Sequence, residues 1–220
     1  ISNAGNDSIF GGSAADTIDG GEGDDSAYGS GGNDSLVGGN GNDWLVYAGP
    51  NDSFWNLGDN GAWRVTVDLG AGTTSSATSS IYPPHHNDLI SGFENVLGTA
   101  FSDRLIGDSQ DNQLVGGFYF DTLIGAAGND TLDGGESWDS LMGGLGDDSL
   151  AGGFVAPGLV NDNNWVGYHA ATGAVTVSLQ DGRATGADGN DTLTAIVHVR
   201  GSAFNDSLLG DSQALSLIHI

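Results

Sequence analysis

Asp7, Asp16, Asp25, Asp34 and Asp43 stand nine residues apart, and an apolar residue follows each one two places later: Ile9, Ile18, Ala27, Leu36 and Leu45. A second run keeps the spacing through Glu94, Asp103, Asn112, Asp121, Asp130, Asp139 and Asp148, with Val96, Leu105, Leu114, Leu123, Leu132, Leu141 and Leu150 at the apolar place. Carboxylates repeated at one period are hard oxygen donors, and the chemistry open to them is the holding of hard divalent cations. The stretches Gly20-Gly21-Glu22-Gly23-Asp24-Asp25 and Gly38-Gly39-Asn40-Gly41-Asn42-Asp43 fill the nonapeptide pattern G-G-x-G-x-D-x-U-x, where U is apolar. Glycine at the first, second and fourth places permits left-handed backbone and a close approach of carbonyl groups. Gly21, Gly23, Gly39, Gly41, Gly144 and Gly146 are therefore candidate metal residues along with Asp7, Asp16, Asp25, Asp34, Asp43, Asp103, Asp121, Asp130, Asp139 and Asp148. The units ending at Asp16, Asp121 and Asp139 lack the fourth-place glycine and are expected to form half a site or none.

These residues resemble the repeat region of the RTX (repeats-in-toxin, haemolysin-type calcium-binding) proteins. The resemblance covers both runs well and the segments between them loosely. It implies an all-β chain folded as a right-handed parallel β-roll, a flattened β-solenoid. Six residues of each unit would form a calcium-binding turn and three a short strand, with successive units on alternating sides. It also implies calcium as the cofactor, an extracellular or cell-surface location, and export by a type I (ABC) secretion apparatus.

The residue types ask for the same elements. In a three-residue strand the middle side chain faces opposite to its neighbours, so one Leu or Ile per unit fills a narrow interior. If two units make a coil, same-side aspartates are neighbours: Asp7/Asp25, Asp25/Asp43, Asp16/Asp34, Asp103/Asp121, Asp121/Asp139 and Asp130/Asp148, with Asn112/Asp130 a weaker pair. At ~5 Å and an effective dielectric of ~20, each charged pair costs about 3 kcal/mol. Calcium between them removes that repulsion. About six sites are expected on this register, and at ~1.4 kcal/mol each in millimolar calcium they rival the stability of a whole domain. The expectation is a chain largely unfolded without calcium that folds on binding it.

Composition excludes other classes. The 220 residues hold 39 Gly, 29 Asp and Glu, four Arg, no Lys and no Cys, for a net charge of -25. No basic surface can track a phosphate backbone or settle on an anionic bilayer, so neither nucleic acid nor an acidic membrane surface is an expected partner. No apolar run is long enough to span a membrane as a helix. Without cysteine there is neither a disulfide framework nor a thiolate metal site.

The stretches after the two runs are copies of each other. Asn51-Asp52, Trp55 and Val65-Thr66-Val67-Asp68-Leu69 recur 110 residues later as Asn161-Asp162, Trp165 and Val175-Thr176-Val177-Ser178-Leu179. Further on, Asn87-Asp88 and Ala100-Phe101 match Asn190-Asp191 and Ala203-Phe204 at an offset of 103. The organisation expected is a first array over 1–46, a β spacer over 47–93, a second array over 94–153, a duplicated β spacer over 154–201 and the start of a third array over 202–214. The spacers are read as irregular extra strands that continue the solenoid. Ile1 opens inside a pattern already running, so the chain reads as an internal fragment. Residues 215–220, Leu-Ser-Leu-Ile-His-Ile, match the translation of a transposase adapter used in sequencing libraries; they are read as adapter read-through, the alternative being a short terminal strand.

No catalytic constellation stands out. His85-His86 follows Pro83-Pro84, but no H-E-x-x-H or G-x-S-x-G occurs, and His169 and His198 are isolated. The chain is therefore read as no enzyme in itself. Parents compatible with it are a secreted metalloprotease, lipase or polysaccharide-modifying enzyme of which it is an accessory region, or an adhesin of which it is a stalk. Trp44 and Trp138 are candidates for stacking on a glycan, though packing explains them more simply.

Overall fold

The computed structural model describes residues 4–47, 64–77, 87–153, 163–212 and the backbone of 217–218. Asn51-Asp52, Trp55, Pro83-Pro84, His85-His86, Asn161-Asp162 and His219 lie outside the described residues.

In each array unit the residue after the aspartate faces out, the next faces in, and two residues later the first glycine of the following unit faces in again. That alternation makes a strand, as in Thr131–Glu136 and Ser140–Leu145. Strands pair in parallel with a partner 18 residues away: Ser8 with Ser26, Thr17 with Ser35, Leu114 with Leu132, Leu123 with Leu141. Two units therefore make one coil, and consecutive units fall on opposite faces. The described residues are all-β with no helix, as the spacing predicts, in two largely parallel sheets of 11 strands each.

Between the faces lies a single file of side chains. Leu36, Leu45, Val96, Leu105, Leu114, Leu123, Leu132 and Leu141 are fully buried, and Ile18, Ala27 and Leu150 nearly so. Val65, Val67, Val166, Val177 and Val199 extend the file through the spacers. Burying a Leu contributes roughly 1.5–3 kcal/mol, and each coil has only two such residues.

On the first sheet the arrays meet directly, Trp44–Val46 pairing with Asn95–Leu97. On the second sheet Leu89–Ser91 follows Ser35–Asn40, and the hairpin Arg64–Asp68/Thr73–Ala77 then stands between it and Arg104–Ile106. The later copy, Val175–Ser178/Arg183–Gly186, is inserted in the first sheet instead, next to Gly189–Thr194. The spacers thus add strands to the solenoid as expected, but partly as antiparallel hairpins. Their turns explain the reversal. Gly72 donates its N–H to Leu69 O at 3.2 Å with φ of 67°, and Gly182 donates to Leu179 O at 3.3 Å with φ of 63°, a left-handed backbone that only glycine adopts without strain. Near the end of the chain the backbone of Leu217–Ile218 pairs with Val199–Arg200.

Candidate metal centre

Every array turn places its aspartate just ahead of a strand, with the carboxylate folded back under the turn. Two columns of acids result. In the column that leads into the first sheet, the backbone N–H of Asp7 donates to Asp25 Oδ1 at 2.8 Å, Asp25 to Asp43 at 2.7 Å, Asn112 to Asp130 at 2.8 Å and Asp130 to Asp148 at 2.9 Å. In the other, Asp16 donates to Asp34 at 2.8 Å, Asp103 to Asp121 at 2.6 Å and Asp121 to Asp139 at 2.8 Å. The structure brings together each same-side pair that the spacing names.

Oδ1 is satisfied in these contacts. In Asp16, Asp25, Asp43, Asp121, Asp130 and Asp148 the second oxygen is buried with no hydrogen-bond partner. An unsatisfied buried carboxylate oxygen is costly, and burial, the largest cause in each case, raises the Asp121 carboxyl to about 9, Asp148 to about 7 and Asp130 to about 6. The turn supplies further oxygens at the same place. A Cβ on Gly116 would overlap Asp121 Oδ2 and come within 2.6 Å of Gly134 O; one on Gly125 would overlap Asp130 Oδ2 and come within 2.6 Å of Gly143 O. Only glycine leaves the carboxylate and the carbonyl their shared space. Gly21, Gly23, Gly39, Gly41, Gly144 and Gly146 all take positive φ, between 104° and 155°, and shape the loop around it.

Among the described residues no three His, Cys, Asp or Glu side chains gather at one point. Any cation held here takes carboxylate oxygen from its turn and its neighbour and the rest from backbone carbonyls, a hard all-oxygen set that suits calcium. The orphaned Oδ2 atoms and the glycine cradles fit that ion at the positions named above.

In two of the three turns without fourth-place glycine, Tyr119 and Ser137 take its place with φ of 68° and 97°, so the left-handed path survives there at the cost of strain, whereas Ala14, in the turn that ends at Asp16, does not take positive φ. Asp103 is different in kind: Thr99 N–H donates to its Oδ2 at 2.5 Å, the Thr99 hydroxyl lies 2.9 Å from the same oxygen, and Val65 N–H donates to Oδ1 at 2.7 Å. Both oxygens have protein donors there.

Sequence reasoning missed the pairings that carry the columns across the spacers, although it placed Glu94 at the head of the second run. Asp34 N–H donates to Asp88 Oδ1 at 3.0 Å, Asp43 N–H to Glu94 Oε2 at 2.8 Å, Asp139 N–H to Asn164 Oδ1 at 2.7 Å and Asp148 N–H to Asp191 Oδ1 at 3.1 Å. Asp88 and Asp191 had a signal, since buried Ile90 and Leu193 follow them at the array spacing of two. A shallower ladder of fifth-place residues also went unread: Asp24 N–H donates to Asn6 Oδ1, Asn42 to Asp24, Asn129 to Asp111 and Asp147 to Asn129, at 2.7–3.0 Å.

The family model of the RTX calcium-binding nonapeptide repeat (four copies) matches residues 1–27, 10–45, 20–53, 90–118 and 115–150, together more than half of the chain. The chain belongs to the RTX calcium-binding nonapeptide repeat family. It is a calcium-binding β-roll module, and this RTX repeat is a structural calcium-binding element. No relative among the curated proteins matches the chain. No helix among the described residues is long and apolar enough to cross a membrane. Of the isolated histidines, His198 stacks on Trp165 with ring centroids 4.5 Å apart, a packing role within the RTX fold.

Proposed function

We propose that calcium folds this module, and that Asp7, Asp16, Asp25, Asp34, Asp43, Asp121, Asp130, Asp139 and Asp148 supply its carboxylate ligands. The observation that carries the reading is the buried Oδ2 of Asp25, Asp43, Asp121, Asp130 and Asp148, for which the protein provides no donor. Without a cation these oxygens repel one another across neighbouring coils. With calcium they become the strongest ties between coils. The number of ions is about six on the pairing register.

Coupled folding gives the module its setting. At low cytosolic calcium the chain stays extended enough to thread a type I secretion apparatus, and at millimolar external calcium it folds outside the cell. Its parent is a secreted hydrolase carrying the roll as an accessory region, or an adhesin using it as a stalk. Surface recognition of a glycan is favoured by Trp138, half exposed and 5.5 Å from exposed Phe120, whereas Trp44 is partly buried in the sheet. Circular dichroism of the purified chain in chelator and through a calcium titration tests the central claim. An equal strand signal in both conditions would falsify it.

A further inference from the structure

The aspartate-column positions divide into two kinds by what meets the outer oxygen. Within the arrays that atom is orphaned in Asp16, Asp25, Asp43, Asp121, Asp130 and Asp148. At the array boundaries the protein supplies a donor. Tyr47 Oη–H and Thr74 Oγ1–H each donate to Asp88 Oδ2 at 2.9 Å. Tyr168 Oη–H donates to Asp191 Oδ2 at 2.8 Å. Thr99 N–H donates to Asp103 Oδ2 at 2.5 Å, and Ser202 N–H to Asp206 Oδ2 at 2.7 Å. Asn164, where a column passes the second spacer, carries its own donor and gives Nδ2–H to Ala195 O at 3.2 Å.

The inner oxygen behaves alike in both kinds. Asp88, Asp103, Asp191 and Asp206 accept a backbone N–H on Oδ1 from Asp34, Val65, Asp148 and Val175. At Asp103 and Asp206 the Thr99 and Ser202 hydroxyls reach Oδ1 as well, at 3.0 and 2.5 Å, but it is the outer oxygen whose partner separates the two kinds. The capping residues also recur in sequence: Tyr47 and Tyr168 each stand three places after a tryptophan, Trp44 and Trp165, and Thr99 and Ser202 each stand four places before the aspartate they cap.

We propose that the spacers build metal-free links into the calcium columns: at Asp88, Asp103, Asp191 and Asp206 a hydroxyl or amide proton occupies the place that a cation takes elsewhere. Hydrogen bonds to a charged acceptor are the strong ones, so each link holds its coil at any calcium concentration. Each array is then a calcium-dependent block between boundaries that need no ion, and filling one array leaves its neighbour's occupancy to its own affinity. The assignment rests on calcium at the orphaned positions.

Calcium stoichiometry measured by calorimetry on the full chain separates the two kinds. Asp121→Asn is expected to lower the number of bound ions, while Asp103→Asn lowers thermal stability and leaves the number unchanged. Equal losses in both variants, or a loss in neither, overturn the division; a parent chain that binds no calcium overturns the underlying reading instead. Tyr168→Phe gives a second measure that does not need Asp121→Asn to fold. In saturating calcium, hydrogen exchange at Val166 and Thr192 is expected to speed up about ten-fold or more relative to parent, with Leu123 unchanged. Unchanged exchange at Val166 and Thr192 overturns the cap.

Discussion

Asp103 donates its backbone N–H to Asp121 Oδ1 at 2.6 Å, while Asp121 Oδ2, facing Gly116, has no donor. One oxygen binds the coil before; the other waits for a proton or a cation. In the metal-free fold the proton competes for that place, because burial raises the Asp121 carboxyl to about 9, Asp148 to about 7 and Asp130 to about 6, against about 4 in an unfolded chain. A folded pKa above the unfolded one contributes stability that is complete below the unfolded value and is lost as pH rises through the folded value. In chelator the roll is therefore expected to gain strand structure as pH falls from about 8 to about 5, while calcium, competing with the same protons, binds more weakly. Circular dichroism in chelator and calcium titrations at both pH values check the two opposite slopes.

Gly116→Ala is expected to destabilise the calcium-loaded chain by about 3 kcal/mol or more, since the new Cβ overlaps Asp121 Oδ2 and crowds the Gly134 carbonyl, neither of which can move without breaking the turn. Gly70→Ala is the control. Its Cβ would lie 3.5 Å from Asp68 Oδ1 and 3.6 Å from Gly107 O, ordinary contacts, and a change within about 0.5 kcal/mol is expected. Thermal melts in saturating calcium compare the two; equal effects would show that the cradle has slack.

Ser137→Gly should stabilise. Ser137 holds φ of 97° at a place where other units have glycine, and the left-handed backbone costs an L-residue about 1 kcal/mol or more. A melting midpoint in calcium that stays put or drops counts against the strain.

Leu123→Ala removes a fully buried side chain from a one-residue-wide core and should cost about 2–5 kcal/mol. A solenoid passes such damage mainly to adjacent coils. Hydrogen exchange should quicken at Leu105 and Leu141, which flank Leu123 in its sheet, and change little at Ile18; uniform quickening along the chain would mean the roll unfolds as a single unit.

Much of this architecture can be read from residue spacing, because a nine-residue period repeats its solution in every unit. The strand positions of Leu105 to Leu150, the alternation of sides and the pairing of Asp121 with Asp139 all follow from it. Spacing fails where the period breaks. Asp88 sits 54 residues from Asp34 and Asp191 43 from Asp148, separations set by intervening chain and not by the repeat. The hairpins escaped for a similar reason: Val-Thr-Val announces a strand but not its direction, which Gly72 and Gly182 decide through a single left-handed residue each. The caps on Asp88 and Asp191 come from tyrosines whose hydroxyls reach across coils, and no local pattern reports that reach.

The two hairpins enter opposite sheets, yet both sheets finish with 11 described strands. Each hairpin lengthens one sheet by two strands, and because the two go to opposite sheets the additions balance, leaving neither face of the roll with a longer row of described strands than the other.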